Sequence, residues 1–281
     1  MKLQFTKMHG CGNDYIYINC FTQTVEDPAA LAVSLSRPHF GIGSDGVILI
    51  CPSEIADAKM RMFNADGSEG KMCGNGIRCV GKYLYDSGMT EGRTEITVET
   101  RSGVKTLHLT VKDGKMQSAR VDMGRAVLTP AEIPVLLEGE RVVAAPLVID
   151  EKVYHITCVS MGNPHCVVFL KDDVDLLDLR RIGPKFEHHP LFPERVNTEF
   201  VNILPDGVLK MRVWERGSGE TLACGTGACA VGVAAVLNGC CGKDTDVTVR
   251  LRGGELTVRY TDGTVWMSGA ATTVFEGTID L

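Results

Sequence analysis

Apolar and polar residues alternate in short segments along most of the chain. Alternation with a period of two predicts β-strands that bury one face and expose the other. Turn residues such as Asp113-Gly114 and Asp262-Gly263 separate these segments, and they are typical of hairpins that join antiparallel neighbours. The clearest segments are residues 95–99, 104–111, 209–213, 247–251 and 255–260.

Two segments have the pattern of helices instead. The first runs from about residue 74 to 86 and stops at Gly88, and the second runs from about residue 225 to 237 and stops at Gly239. The second segment is apolar on nearly every side, so we expect it to be buried all round. A curved sheet wrapped around such a helix would bury it.

The chain contains an internal repeat. When the sequence is shifted by 151 positions, residues 60–81 align with residues 211–232 without a gap, and eight of the 22 pairs are identical. A shift of 150 positions, one fewer, aligns Gly12-Asn13 with Gly162-Asn163. This period is far longer than that of solenoid repeats, so it indicates two homologous halves. The identical pairs are Met60/Met211, Arg61/Arg212, Glu69/Glu220, Cys73/Cys224, Gly74/Gly225, Gly76/Gly227, Val80/Val231 and Gly81/Gly232.

These patterns together predict an α+β protein with two pseudo-symmetric lobes. Each lobe is expected to be a curved antiparallel β-sheet or barrel around one central helix. The predicted N-terminal lobe comprises residues 1–124 and carries Cys73, and residues 273–281 complete it. The predicted C-terminal lobe comprises residues 125–272 and carries Cys224.

Composition and charge argue against several classes of function. The net charge is −6 and the Lys and Arg residues are scattered, which disfavours a nucleic-acid surface. The first residues lack the apolar segment of a secretory signal. The longest apolar stretch, residues 223–237, is shorter than a membrane span. We therefore expect a cytoplasmic protein with neither nucleic-acid nor membrane partners.

The chain has eleven cysteines, an odd number, and no two have the C-x-x-C spacing of zinc ribbons or thioredoxin-like sites. In a reducing cytoplasm they are expected to remain thiols. Cys73 and Cys224 share a Cys-Gly-x-Gly context under the repeat, which singles them out. Seven others are interpreted as core residues; these are Cys20, Cys51, Cys79, Cys158, Cys229, Cys240 and Cys241.

One motif typical of nucleotide sites is present but set aside, and a common zinc-site motif is absent. Residues 41–46 match G-x-G-x-x-G, but they precede an apolar strand-like segment. A dinucleotide site needs the strand before the glycines and a helix after them. The sequence has no H-E-x-x-H motif, and no metal site is predicted.

Cys73 and Cys224 each lie at the predicted start of a helix. Free backbone N–H groups and the helix dipole favour negative charge there, so they lower the pKa of a thiol from roughly 8.5 towards neutrality. A thiol that titrates near neutrality can both take and give a proton. The two cysteines are therefore candidates for paired acid–base groups.

The same helix starts are suited to bind a carboxylate. The groups expected to hold it are the backbone N–H groups of Gly74 and Asn75 in one half and of Gly225 and Thr226 in the other. If the lobes face each other, one substrate carboxylate lies between two helix ends, and a sulfur flanks each face of its α-carbon. That arrangement would invert a stereocentre.

Six motifs follow one another from residue 8 to beyond residue 227. They are MHGCGND (8–14), FNADGS (63–68), MCGNG (72–76), GNPH (162–165), ERG (215–217) and ACGTG (223–227). In this order they resemble the diaminopimelate epimerase family, and the set is far more specific than any one motif.

The resemblance implies an isomerase that interconverts LL- and meso-2,6-diaminopimelate in lysine and cell-wall precursor biosynthesis. It implies no pyridoxal phosphate, no other cofactor and no metal, and it makes a homodimer the expected assembly. By the same matching Cys73 and Cys224 are the catalytic thiols, and His165 and Glu215 support the reacting centre. The positions implied to contact substrate are Asn13, Asn64, Gly74, Asn75, Asn163, Asn197, Glu215, Arg216, Gly225 and Thr226.

The implied substrate explains the polar residues in this set. Diaminopimelate carries an amino-acid group at each end, and Arg216 can hold the distal carboxylate with two hydrogen bonds. Asparagine side chains both donate and accept, so they suit the distal ammonium and carboxylate. The chain departs from the family at Gly46, where some members carry glutamine, so any side-chain contact from that position is absent.

Three other functions are consistent with parts of the pattern. A related two-base racemase acting on proline or hydroxyproline would not need Arg216 and the asparagines, because its substrate has no distal charged end. A thiol redox protein would use Cys73 and Cys224 as a labile disulfide. A cysteine hydrolase would need one nucleophile with a base, whereas the repeat keeps two equivalent cysteines.

Overall fold

The chain forms two structural units in a computed structural model that describes residues 2–280. One unit comprises the chain up to Asp122 together with the segment from Ser268 onwards. The other unit comprises Met123–Met267.

The first unit begins with an antiparallel strand pair and contains both strands and helices. Its strands in the segment that ends at Asp122 are β1 (Lys2–Gly10), β2 (Asn13–Asn19), β3 (Gly46–Cys51), β4 (Ala58–Asn64), β5 (Glu69–Gly70), β6 (Glu95–Thr100), β7 (Gly103–Lys112) and β8 (Lys115–Asp122). Its helices are α1 (Pro28–Ser36) and α2 (Gly74–Asp86).

The second unit has the same kinds of element in the same order after one additional strand. Its strands are β9 (Ala145–Ile149), β10 (Lys152–Ser160), β11 (Pro164–Phe169), β12 (Asn197–Ile203), β13 (Leu209–Glu215), β14 (Gly219–Thr221), β15 (Asp246–Leu251), β16 (Gly254–Tyr260) and the first part of β17 (Val265–Ala270). Its helices are α3 (Leu179–Glu187) and α4 (Gly225–Leu237), with short 3-10 turns at Pro130–Glu132 and Val174–Leu176. The last strand, β18 (Thr272–Asp280), pairs with β1 in the first unit.

Each unit repeats one strand topology. In the first, β1–β2, β3–β4 and β6–β7 are antiparallel, whereas β2–β3 and β4–β6 are parallel. In the second, β10–β11, β12–β13 and β15–β16 are antiparallel, whereas β11–β12 and β13–β15 are parallel. The repeat read from the sequence therefore extends to the order and direction of the strands.

The α+β class is confirmed, but the prediction of wholly antiparallel sheets is wrong at four strand pairs. Each parallel pair is joined by a connection that contains a helix: α1 and α2 in the first unit, α3 and α4 in the second. A parallel pair needs such a crossover, since the chain must return to the same end of the sheet. Helices α1 and α3 had not been predicted, so their crossovers were missed.

Helices α2 and α4 begin and end where the sequence predicts. Each has 13 residues, and their first residues lie 151 positions apart. Gly88 and Gly239 follow the helix ends with φ values of 79° and 71°, a left-handed conformation that glycine adopts at little cost. Helix α4 is buried at every residue from 227 to 235, as its apolar sequence indicates.

A glycine retained in both halves brings each of these helices close to its sheet. A Cβ added to Gly81 would lie 2.9 Å from Leu107 Cδ2, and one added to Gly232 would lie 2.5 Å from Val258 Cγ1. Leu107 and Val258 are themselves 151 positions apart. Close packing of this kind leaves no room for a methyl group, so it fixes the depth of each helix in its unit.

An ion pair retained in both halves ties together the hairpin that precedes each helix. Arg61 Nε lies 2.9 Å from Glu69 Oε1, and Arg212 Nε lies 2.8 Å from Glu220 Oε1. The first pair joins β4 to β5 and the second joins β13 to β14. A helix begins four residues after each short strand ends, so the two ion pairs occupy equivalent places in the two units.

The interpretation of seven cysteines as core residues is correct for only some of them. Cys79, Cys158 and Cys229 are buried. Cys20, Cys51 and Cys241 are partly exposed and Cys240 is exposed, so the core interpretation is wrong for these four. They lie at strand ends or in a turn, where the sequence pattern does not distinguish a buried position from an exposed one. Within residues 2–280, no helix has both the length and the apolar character required to cross a membrane.

Candidate active site

Cys73 and Cys224 occupy the same local structure in their units. Each is the residue immediately before a helix, with φ and ψ of −130° and 118° at Cys73 and of −124° and 111° at Cys224. The next two residues, which supply the first backbone N–H groups of each helix, are Gly74 and Asn75 in α2 and Gly225 and Thr226 in α4. The expectation that both thiols lie at helix N-termini is confirmed.

Cys73 is held by hydrogen bonds within the first unit. Its Sγ accepts from the backbone N–H of Gly76 at 3.3 Å and donates to Oδ1 of Asn13 at 3.3 Å. The Asn75 side chain also donates to Oδ1 of Asn13, at 3.4 Å. Asn13 in turn donates to Asp45 Oδ2 at 2.6 Å. Three predicted site residues, Asn13, Cys73 and Asn75, are therefore in direct contact.

Arg78 makes hydrogen bonds to the first turn of α2 and was not predicted from the sequence. Its side chain is completely buried. It donates to the backbone oxygen of Gly74 at 2.9 Å and to Oδ1 of Asn75 at 2.9 Å. A guanidinium has five donors, so it can satisfy several acceptors in one turn of helix. Arg78 thereby fixes the orientation of the Asn75 amide.

Tyr15 also lies beside Cys73 and was not predicted. It follows Asn13 by two residues on β2, so both side chains are on the same face of the strand. Burial raises its pKa well above the usual value, as do the nearby negative charges of Cys73 and Asp45. A hydrogen-bond interaction with Asn13 lowers this pKa, but by less than burial raises it.

Asn64 lies near the same end of the sheet. It ends β4, opposite Gly46 of β3. Its side-chain amide donates to Ser68 Oγ at 2.9 Å within an exposed turn. The side chain is only partly buried, so its remaining polar atoms are accessible.

Cys224 has a more enclosed and more acidic environment than a helix N-terminus alone would give. Its relative exposure is 5%. Burial raises its pKa well above the usual value, and the nearby carboxyls of Glu215 and Glu199 raise it further. The Thr226 hydroxyl, 3.5 Å from Sγ, acts in the opposite direction. The predicted lowering of this thiol's pKa is therefore wrong, because desolvation outweighs the helix dipole.

Glu215 lies at the end of β13 beside Cys224. Its carboxylate accepts a hydrogen bond from the Thr221 hydroxyl. Burial raises its pKa, and this effect outweighs the hydrogen bonds from Thr221 and Cys224 and the charge of His165, all of which lower it. Glu215 and Cys224 are thus neighbours in the second unit.

His165 is completely buried, and each of its ring nitrogens has a partner. Nδ1 lies 2.7 Å from Oε1 of Glu199, which is also completely buried. Nε2 lies 3.0 Å from Oδ1 of Asn163. Glu199 was missed from the sequence because β12 is buried on both faces, so strand alternation gives no signal for an inward carboxyl.

Asn197 and Arg216 are linked near the same strand ends. The Asn197 amide donates to the backbone oxygen of Pro164 at 2.7 Å and accepts from the backbone N–H of Arg216 at 3.0 Å. Arg216 is exposed, and one of its guanidinium nitrogens donates to the backbone oxygen of Glu194 at 2.9 Å.

Comparison with known proteins gives a consistent result. The family model described as diaminopimelate epimerase matches residues 5–129 and 157–274. A diaminopimelate epimerase from Acetivibrio thermocellus is 58% identical over 281 residues, covering 99% of both chains. One from Desulfovibrio desulfuricans is 56% identical over 285 residues, covering 99% of this chain and 98% of that protein.

Solved structures of lower sequence identity share the fold. A hydroxyproline epimerase from Agrobacterium vitis with bound trans-4-hydroxy-L-proline has a TM-score of 0.70 at 17% identity, with 99% of this chain and 91% of that chain covered. A phenazine biosynthesis protein of the PhzF family from Bacillus anthracis has a TM-score of 0.71 at 17% identity, with both chains covered completely. At this identity the similarity concerns the fold alone.

Proposed function

This chain belongs to the diaminopimelate epimerase family, and we propose that it interconverts LL- and meso-diaminopimelate with Cys73 and Cys224 as its two acid–base groups. The reaction makes it an isomerase of lysine and cell-wall precursor biosynthesis. The observation that carries the assignment of the thiols is their equivalence, because both precede a 13-residue helix with nearly the same backbone angles.

The proposed reaction removes a proton from one face of the α-carbon and adds a different proton to the opposite face. A thiolate on one face takes the α-proton, and the C–H electron pair passes to the carbon and its carboxylate. The thiol on the other face then gives its proton to the carbon, so a new C–H bond forms with inverted configuration and the second sulfur becomes the thiolate. The reverse direction exchanges the two roles.

The helix starts are proposed to stabilise the carbanion. Backbone N–H groups at Gly74 and Asn75 and at Gly225 and Thr226 precede the intrahelical hydrogen-bond ladder, so they are available to an anion. A carboxylate held by such groups gains charge as the α-proton leaves, and fixed dipoles stabilise that charge without rearrangement. In this proposal no pyridine cofactor or metal is needed as an electron sink.

The remaining predicted residues are proposed to recognise the distal end of the substrate or to support the thiols. Arg216 is suited to a two-pronged contact with the distal carboxylate, since its guanidinium is exposed. Asn13, Asn64, Asn163 and Asn197 would read the ammonium and carboxylate groups. His165 and Glu215 are proposed to support the reacting centre around Cys224.

Three further properties belong to the same proposal. The two lobes, residues 1–124 with 273–281 and residues 125–272, would each contribute one thiol. The working assembly would be a homodimer in the cytoplasm, without nucleic-acid or membrane partners. Sedimentation of the purified protein tests the assembly, since a dimer has twice the mass of the 30.4 kDa chain.

A panel of substrates tests the proposed function. Purified protein without added cofactor is incubated with LL-diaminopimelate, L-proline and trans-4-hydroxy-L-proline, and each stereoisomer is separated by chiral chromatography. We expect LL-diaminopimelate alone to be converted, to its meso form. Conversion of proline or hydroxyproline in place of diaminopimelate would replace the proposal with the related racemase function.

A further inference from the structure

The first turns of α2 and α4 pack against different kinds of side chain. Under the shift of 151 positions Ile48 corresponds to Glu199, and Gly76 corresponds to Gly227. A Cβ added to Gly76 would lie 2.6 Å from Ile48 Cδ1, and one added to Gly227 would lie 2.6 Å from Glu199 Oε1. The same place in the fold is therefore filled by a methyl group in the first unit and by a carboxyl in the second.

Glu199 is buried more completely than a carboxyl normally is. Its relative exposure is 0%, and within residues 2–280 its Oε2 has no hydrogen-bond partner. Burying a carboxyl costs free energy that a single hydrogen bond does not offset. Because an apolar residue fills the equivalent place at Ile48, the fold itself does not need a carboxyl there.

The contacts of His165 show how Glu199 positions its ring. Nδ1 lies 2.7 Å from Oε1 of Glu199, and Nε2 lies 3.0 Å from Oδ1 of Asn163. An imidazole with an oxygen at hydrogen-bond distance from each nitrogen is held in one orientation. Glu199 supplies the fully buried one of these two contacts.

Ionisable groups from three strands surround Cys224. Glu215 of β13 and Glu199 of β12 both act to raise the pKa of its thiol. His165 of β11 pairs with Glu199 and lowers the pKa of Glu215. The residues at the corresponding positions in the first unit, Asn64 for Glu215 and Ile48 for Glu199, carry no charge. The charges around the two thiols are therefore unequal.

We propose that Glu199 is a positioning residue of the two-thiol reaction: it orients His165 and keeps Cys224 in its thiol form in the free enzyme. This inference rests on the proposed function for the role of Cys224. It implies that the free enzyme meets its substrate with Cys224 ready to give a proton. The carboxyl acts by its charge and through the imidazole, and it does not touch the substrate.

The test is the pH dependence of alkylation of Cys224 in the free protein and in the Glu199→Gln variant. Iodoacetamide reacts with the thiolate, so the alkylation rate of each cysteine rises as its thiol ionises. The pH at which that rate reaches half of its maximum is the midpoint of the thiol. Peptide mass spectrometry must separate the sites, because Cys51, whose pKa a hydrogen bond from Cys20 lowers to about 7, also reacts. The measurement needs no turnover of diaminopimelate.

In Glu199→Gln we expect the Cys224 midpoint to fall by about one pH unit, since removal of one nearby negative charge favours the thiolate by roughly that amount. The Cys73 midpoint should stay unchanged. Glu187→Gln is the matched control, because Glu187 is also buried in the second unit, where it accepts from Trp214 at 2.7 Å. Glu199→Asp should restore most of the wild-type midpoint.

An unchanged or raised Cys224 midpoint in folded Glu199→Gln would overturn the inference, as would an equal fall in Glu187→Gln. If the variant does not fold, the wild-type protein still decides the matter. We expect the Cys224 midpoint in the free protein to lie above the Cys73 midpoint, because two carboxyls lie near Cys224 and the corresponding positions in the first unit are uncharged. A Cys224 midpoint at or below that of Cys73 would contradict the inference. A shifted midpoint without diaminopimelate turnover would instead contradict the proposed function alone.

Discussion

Tyr15 occupies the space that a side chain at Gly46 would need. A Cβ added to Gly46 would lie 2.9 Å from Cε1 of Tyr15 and 2.0 Å from the backbone oxygen of Phe63. A side chain at position 46 therefore has no room in this chain. Tyr15, whose pKa is raised by burial and by the nearby charge of Cys73, therefore lies beside both that thiol and Gly46.

Replacing Gly46 with alanine should destabilise the protein. The new methyl group meets a backbone oxygen that cannot move aside, and overpacking of this kind costs about 1–3 kcal/mol. Thermal unfolding of Gly46→Ala measures the effect as a lower Tm. Gly263→Ala is the control, because a Cβ there meets nothing within 4 Å. Equal Tm values for the two variants would contradict the close packing described.

Tyr15→Phe removes one hydroxyl and leaves the ring in place. We expect kcat for diaminopimelate to fall about tenfold, equivalent to about 1.4 kcal/mol, because a thiolate on Cys73 would lose a hydrogen-bond donor. Tyr17→Phe is the matched control, since its buried hydroxyl donates to the backbone oxygen of Gly76, at 3.3 Å, rather than to a catalytic thiol. Unchanged kcat in Tyr15→Phe would show that the hydroxyl does not serve the reaction.

Glu215→Gln should change how stability depends on pH. The pKa of Glu215 in the folded protein is raised by burial from its usual value of 4.5. As pH rises through 4.5, the unfolded chain loses this proton first, so the wild-type protein loses stability until the pH passes the raised folded value. Chemical unfolding should therefore find the glutamine variant more stable than wild type at neutral pH and equally stable below 4.5. A variant that is less stable at neutral pH would refute this sign.

Arg216→Lys should weaken recognition of the distal carboxylate. Lysine keeps the charge but cannot make the two parallel hydrogen bonds of a guanidinium. We expect kcat/KM for diaminopimelate to fall about 100-fold, equivalent to about 2.7 kcal/mol. Arg180→Lys, an exposed substitution on α3, is the control and should leave kcat/KM unchanged. Equal kinetics of the two variants would remove Arg216 from the binding site.

Cys73→Ala and Cys224→Ala should each abolish epimerisation, with a loss of at least about 10²–10⁴-fold in rate. Cys240→Ala is the control, because Cys240 is exposed and lies in the turn after α4. Circular dichroism establishes that each variant is folded. Near wild-type epimerisation in either active-site variant would exclude that thiol from the reaction.

The sequence repeat was sufficient to locate both helix starts and both cysteines, because it preserves the residues that set local backbone conformation. It was insufficient for the parallel pairs β2–β3 and β11–β12, whose crossover helices α1 and α3 lie outside the aligned segment. Helix α1 begins at Pro28 after the Asp27 cap, and α3 contains Pro184, so neither has a long periodic pattern.

The buried polar residues were the other part that could not be predicted. Arg78 and Glu199 are charged side chains with 0% exposure, and they correspond to Cys229 and Ile48 under the repeat. Charged residues are ordinarily placed at the surface by any argument from hydrophobic pattern. Their roles depend on neighbours that are distant in sequence, so only the folded structure reveals them.

Epimerisation of LL-diaminopimelate in deuterium oxide, stopped at low conversion, tests the two-thiol account most directly. Mass spectrometry and NMR give the deuterium at the α-carbon of the meso product and of the remaining substrate. We expect one deuterium in each product molecule and none in the recovered substrate, because one thiol removes hydrogen while the other delivers deuterium from solvent. Product that keeps the substrate hydrogen, or deuterium that enters recovered substrate as fast as product, would contradict the account.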